Sequence, residues 1–209
     1  MPRIYTPFWL LCLLTVALGE ANKWLLNLDA LVYHSLSEQL TAAQVTAYLD
    51  LQKKWQWVGY AFVPVFLAVK TVLIATVLYI GSFFFSKEIR FKQLWHIAVQ
   101  AEFVFLAVVV VKLGWFYFFQ TDYTLEDIQY FYPLSALNIV GYKGLEAWFV
   151  YPFQVLNLFE IAYWLLLAYL LGKALQTHTD EGLKIVAASY GSALLLWVVA
   201  VMFFVLNYS

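Results

Sequence analysis

The chain has 209 residues, of which 64% are hydrophobic and 12% charged, against about 45–50% apolar and about 25% charged in a soluble domain. Apolar runs longer than the ~18 residues that mark a transmembrane helix exclude a soluble core. A net charge of -1 with no basic block excludes a nucleic-acid surface, and the lone Cys12 excludes an intramolecular disulfide, a CxxC pair and a thiolate metal cluster.

The expected fold class is all-α: one membrane domain over residues 1–209, a polytopic helix bundle with five spans and amphipathic helices on its outer face. The first span, 4–25, is dense in apolar residues only over 8–18. Crossing a hydrocarbon layer of ~30 Å therefore needs Ile4 at one end and Trp24, Leu25 and Leu26 at the other, with Lys23 snorkelling. Arg3, the apolar core and Ala17-Leu18-Gly19 also fit a cleavable signal peptide. A retained anchor is the expectation.

In the first outer connection, 26–56, Trp24, Leu25, Leu28, Leu31, Val32 and Leu36 share a helical face opposite Asn27, Asp29 and His34, which predicts an interfacial helix. Thr41 and Gln44 have capping-box spacing and open a second helix carrying Val45, Tyr48, Leu49 and Leu51, after which 53–57 returns to the headgroup zone. Spans two and three follow at 57–85 and 94–119. In the second outer connection, 120–146, Thr124 and Asp127 open a short helix that Pro133 would end. Around it Trp115, Tyr117, Tyr123, Tyr130, Tyr132 and Trp148 form an aromatic outer surface. It reads as anchoring at the membrane–water boundary or as a cradle for a lipid or partner helix. Spans four and five lie at 147–172 and 185–207. Pro64 and Pro152 stand near the outer ends of spans two and four, where each would kink or start a helix. The isolated Gly81, Gly114, Gly172 and Gly191 make no GxxxG face.

Alternate sides of this layout hold Arg3, Lys87, Arg90, Lys92, Lys173 and Lys184 against Lys23, Lys53, Lys54 and Lys143, a positive excess that places the N-terminus in the cytoplasm and the C-terminus outside. The expected location is a bacterial inner membrane.

Charges inside spans mark pathways or pairs, because hydrocarbon makes them costly. Lys70 lies near the centre of span two, Glu160 at the centre of span four, and Glu102 two turns into span three. Lys112, further along span three, can snorkel outward. Lys70 thus has two possible carboxylate partners, Glu102 and Glu160, and the group reads as a structural pair or as a relay helped by His96 and Gln100. His96 and Gln100, four apart, share a helix face from which Glu102 is turned away. Gln154, Asn157 and Glu160, three apart, form the most polar stripe, which suits bonding across helices or the wall of a polar cavity.

The chain contains no GxSxG, HExxH, Walker or GxGxxG motif, and of His34, His96 and His178 only His96 is inside a span, so no catalytic residue, metal or cofactor is expected. Asn207-Tyr208-Ser209 fits the glycosylation sequon at the very end of the chain.

The short basic loop at 86–93 leads into span three, Leu145-Glu146-Ala147-Trp148 opens span four, and Asp180-Glu181-Gly182-Leu183-Lys184 leads into a final span ending at Tyr208. Over residues 57–209 this layout resembles the Yip1 family of small five-span membrane proteins. The resemblance implies a cytosolic N-terminus and an outer C-terminus, and it carries over no active site. The functional expectation is a non-catalytic accessory or scaffold subunit whose partners are membrane lipids and other membrane subunits, with no nucleic acid. The alternative is a small transporter or ion-coupled subunit using Lys70, Glu102 and Glu160. A membrane enzyme would need Glu126, Asp127 or His34 to converge at the outer surface.

Overall fold

The computed structural model describes residues 5–208, which fold as a succession of helices. In chain order these are α1 (Thr6–Leu25), α2 (Leu28–Ser37), α3 (Ala42–Phe84), α4 (Phe91–Phe118), α5 (Leu125–Tyr130), α6 (Ala136–Val140), α7 (Ala147–Val155), α8 (Leu158–Ala174), α9 (Thr179–Val186), a π-helical turn (Ala187–Gly191) and α10 (Ser192–Tyr208). Among the described residues, four helices are long and apolar enough to cross a membrane: α1, α3, α4 and the continuous run Thr179–Tyr208. The chain is an all-helical integral membrane protein. Arg3 and Ile4, used above for charge and span length, lie outside the described residues, as does Ser209 of the sequon.

The core lies where α3, α4, α8 and α9 meet. There Ala75, Leu78, Leu94, Ala98, Tyr163 and Leu167 are buried together. In lipid, helices associate by close packing rather than by hydrophobic transfer, so small residues at the contacts matter. A Cβ at Gly182 would stand 2.1 Å from the Ala168 carbonyl oxygen, and one at Gly191 2.5 Å from Trp164 Cη2. These isolated glycines seat α9 and the π turn on α8. α1 packs on α4 through Phe8, Leu11 and Cys12 against Val99. Leu26, Leu113, Phe116 and Ile128 close the bundle end that carries α2 and α5.

Two expectations are corrected. The helix opening at Thr41 and the span at 57–85 are one 43-residue helix, α3. At 1.5 Å per residue it is roughly 64 Å long, about twice a hydrocarbon layer. Residues 51–57 contain neither Gly nor Pro, and the helix continues through Pro64 as well. The Thr41 start stands as expected, with the Thr41 backbone N–H donating to Gln44 Oε1 at 3.0 Å.

The expected span at 147–172 is divided into α7, of 9 residues, and α8, of 17. Neither reaches the ~18–20 residues of a full crossing. Leu156 and Asn157 leave helical geometry, Asn157 being extended at φ -142°, ψ 160°. The backbone there is taken up by the segment before α6: the Ala136 N–H donates to the Leu156 carbonyl at 2.8 Å and the Leu158 N–H to the Leu134 carbonyl at 3.2 Å. That pairing, an antiparallel bridge between Ser135 and Asn157, satisfies the groups that a helix break leaves open, which backbone within a membrane requires.

Candidate functional site

The polar groups inside the bundle form two adjoining clusters. In the first, α3 presents Lys70 to α4, and Nζ donates to Glu102 Oε2 at 2.8 Å. The second carboxylate oxygen, Oε1, accepts from the Tyr163 hydroxyl of α8 at 3.1 Å. The Phe105 ring centroid lies 4.4 Å from the ammonium, a distance at which the ring face attracts a cation. Glu102 is 3% exposed with both oxygens engaged, so one carboxylate ties three helices. One residue beyond Lys70, Thr71 Oγ1 accepts from Trp95 Nε1 at 3.1 Å and adds a second α3–α4 tie. Of the two partners open to Lys70, the structure selects Glu102.

The second cluster surrounds Glu160 in the first turn of α8. Its Oε1 accepts from the Tyr190 hydroxyl at 2.8 Å and from Trp164 Nε1 at 3.0 Å. Tyr190 comes from the π turn, and such single-turn departures from α geometry often occur at functional sites.

Gln154, Asn157 and Glu160 do not form a stripe on one helix, because the chain breaks between the first and the last. Asn157 is instead the N-cap of α8: its Oδ1 accepts from the Glu160 N–H at 2.8 Å, while Nδ2 donates to the Gln154 and Val155 carbonyls, each at 2.9 Å. The Gln154 side chain takes no part in this arrangement.

Beside Glu160 lies a groove of about 1200 Å³. It is lined by Val111 and Trp115 of α4, by residues of the segment 131–139, by Ile161 and Leu165 of α8, and by Leu183 and Leu194. Asn157, Ser135 and Glu160 reach it from the helix break and the residues that pair with it.

The remaining expected site residues are dispersed. Of the six aromatics, Trp115 and Tyr123 belong to one ring cluster, joined through Phe131 and Phe116. Trp115 stacks on Phe119 and Phe131, with ring centroids at 5.3 and 5.5 Å. Tyr123 meets Phe116 edge-on, Tyr130 stacks on Tyr142, and Trp148 stacks on Phe149 of α7. Tyr117 packs edge-on against Phe118 and is exposed, whereas Tyr132 is half-buried. His96 is half-buried with Nδ1 enclosed and without a partner among the described residues, and Gln100 is half-buried; neither bonds to the Lys70–Glu102 cluster. The Lys112 ammonium donates to the Ile128 carbonyl and so caps the C-terminal turn of α5 instead of reaching free into the interface. Asp127 accepts from the Thr124 N–H at 2.9 Å and from the Tyr142 hydroxyl at 3.2 Å. The Thr124 amide is the main reason its carboxyl is held below the ordinary range. His34 packs on Tyr33.

Tyr163, Trp164 and Tyr190 are the participants that sequence reasoning missed. For Trp164 a signal was present, since it stands four residues after Glu160 on the same face. For Tyr163 and Tyr190 none was, because their partners arrive from other helices.

No family model, curated protein or solved structure matches the chain.

Proposed function

We propose that the chain is a non-catalytic accessory subunit of a larger membrane complex. The observation that carries this reading is α10: it is apolar over 193–206 and buries no residue within the chain, and Leu195, Leu196 and Phe203 on it are exposed. It packs on α7, where Trp197 Nε1 donates to the Tyr151 hydroxyl at 2.9 Å, and the apolar surface it leaves open suits a contact with another subunit as well as with lipid. One intramembrane ion pair supports the reading too, since Lys70 and Glu102 are spent on each other. The fuller form has five crossings, with α7 and α8 together making the fourth, the N-terminus cytoplasmic and the C-terminus outside, in a bacterial inner membrane and with the layout of the Yip1 family. Native mass spectrometry on the protein extracted from its own membranes tests it. Stoichiometric foreign subunits are expected; a lone monomer or a homo-oligomer contradicts the proposal.

One observation favours a second reading, a small transporter. The break between α7 and α8 lines a groove, and discontinuous helices supply binding groups in many transporters. Reporter flux in vesicles separates the two, because a transporter loses flux when its groove is filled whereas an accessory subunit has none to lose.

A further inference from the structure

We propose that the groove beside Glu160 is a binding site for a lipophilic organic cation, a quaternary ammonium or phosphonium bearing bulky apolar substituents. At about 1200 Å³ it exceeds the ~300–1,000 Å³ of an ordinary ligand pocket, so it has room for a large molecule. Among the residues that line it, Glu160 is the one ionisable group. Its Oε1 is bonded only to the neutral donors Tyr190 and Trp164, and Oε2 receives no hydrogen bond from the described residues.

Among the described residues, no cation forms an ion pair with Glu160. Lys70 is held by Glu102, and Lys112 is held by the Ile128 carbonyl. A carboxylate facing an apolar space without a counter-charge is costly, and intramembrane charges pair wherever they can.

The groove also determines which cation. Phe131 and Trp164 line it, with Trp115 stacked on Phe131, and ring faces attract ammonium-type cations most where water is excluded. Small, strongly hydrated metal ions need a shell of oxygen ligands, commonly with several carboxylates; the groove's polar side chains are Gln120, Ser135, Asn138 and Asn157 beside the single carboxylate of Glu160. Anions meet the carboxylate's own charge. A purely apolar lipid chain leaves that carboxylate unpaired. A weakly hydrated cation with apolar arms satisfies both the charge and the walls.

This inference is independent of the assembly reading, because it is tested on the isolated full chain. The probe is tetraphenylphosphonium, titrated against protein in lipid nanodiscs and followed by the fluorescence of the tryptophans beside the groove. Tetraphenylborate, of the same shape and opposite charge, is the control. Saturable binding of the phosphonium and none of the borate is expected. Glu160→Gln should weaken phosphonium binding by about tenfold or more, since a close charge pair away from water contributes at least about 1.5 kcal/mol. Leu165→Trp, which narrows the groove and leaves the carboxylate in place, should also weaken binding and decides the matter if Glu160→Gln does not fold. No saturable binding, equal binding of both ions, or phosphonium binding unchanged in either folded variant would overturn the proposal.

Discussion

Gly182 shows how far single atoms govern this bundle. Its missing side chain lets α9 lie against the Ala168 carbonyl, where a Cβ would sit at 2.1 Å, while Gly19 has nothing within 4 Å. Gly182→Ala should therefore destabilise the protein by about 1–3 kcal/mol, the usual cost of forcing volume into a packed contact. Gly19→Ala should be neutral or stabilising by about 0.5–1 kcal/mol, because Ala suits a helix interior better. Thermal unfolding of both variants in detergent checks this, and equal shifts would refute it. A second residue-scale expectation concerns Asp127, whose carboxyl is held low chiefly by the Thr124 amide. A carboxyl with a lowered folded-state pKa stabilises above its unfolded value and loses that contribution as pH falls through the folded one. Protection factors for the α5 amides should thus drop below the ordinary carboxylate range in the wild type and stay flat in Asp127→Asn. Thr124→Ala should cost about 0.5–2 kcal/mol at neutral pH as the cap is lost.

At the scale of elements, local chemistry was legible and pairing between elements was not. The starts of α3 and α5 follow from Thr41 with Gln44 and Thr124 with Asp127, because a cap is decided within three residues. Asn157 and Glu160 carry the same spacing, yet inside an apolar run they read as a stripe. The break depends on 134–136, distant in the chain, which takes up the backbone of 156–158. Likewise Lys70 had two partners in sequence, and helix docking alone chose the one 32 positions away. Asn157→Leu removes the α8 cap and the two carbonyl contacts of its amide. It should lower stability by about 0.5–2 kcal/mol and speed amide exchange at 158–160 in particular. A uniform change along α8 would show that the break does not depend on this residue.

At the scale of the whole molecule, the charges inside the membrane hold helices together. Glu102 joins α3, α4 and α8 at one point, and α9 and the π turn reach the same core through Ile185 and Tyr190. An ion pair of this kind need not add much net stability over an apolar replacement, but removing one partner strands the other. The most direct measurement is the folded yield and thermal midpoint of Lys70→Met, Glu102→Met and the double variant in one membrane mimetic. Each single substitution is expected to lower both readings, toward the lower end of about 3–5 kcal/mol for Lys70→Met because that side chain is half exposed, and the double variant is expected to recover most of the loss. Single variants that fold like the wild type, or a double variant no better than the worse single, would contradict a structural role for the pair.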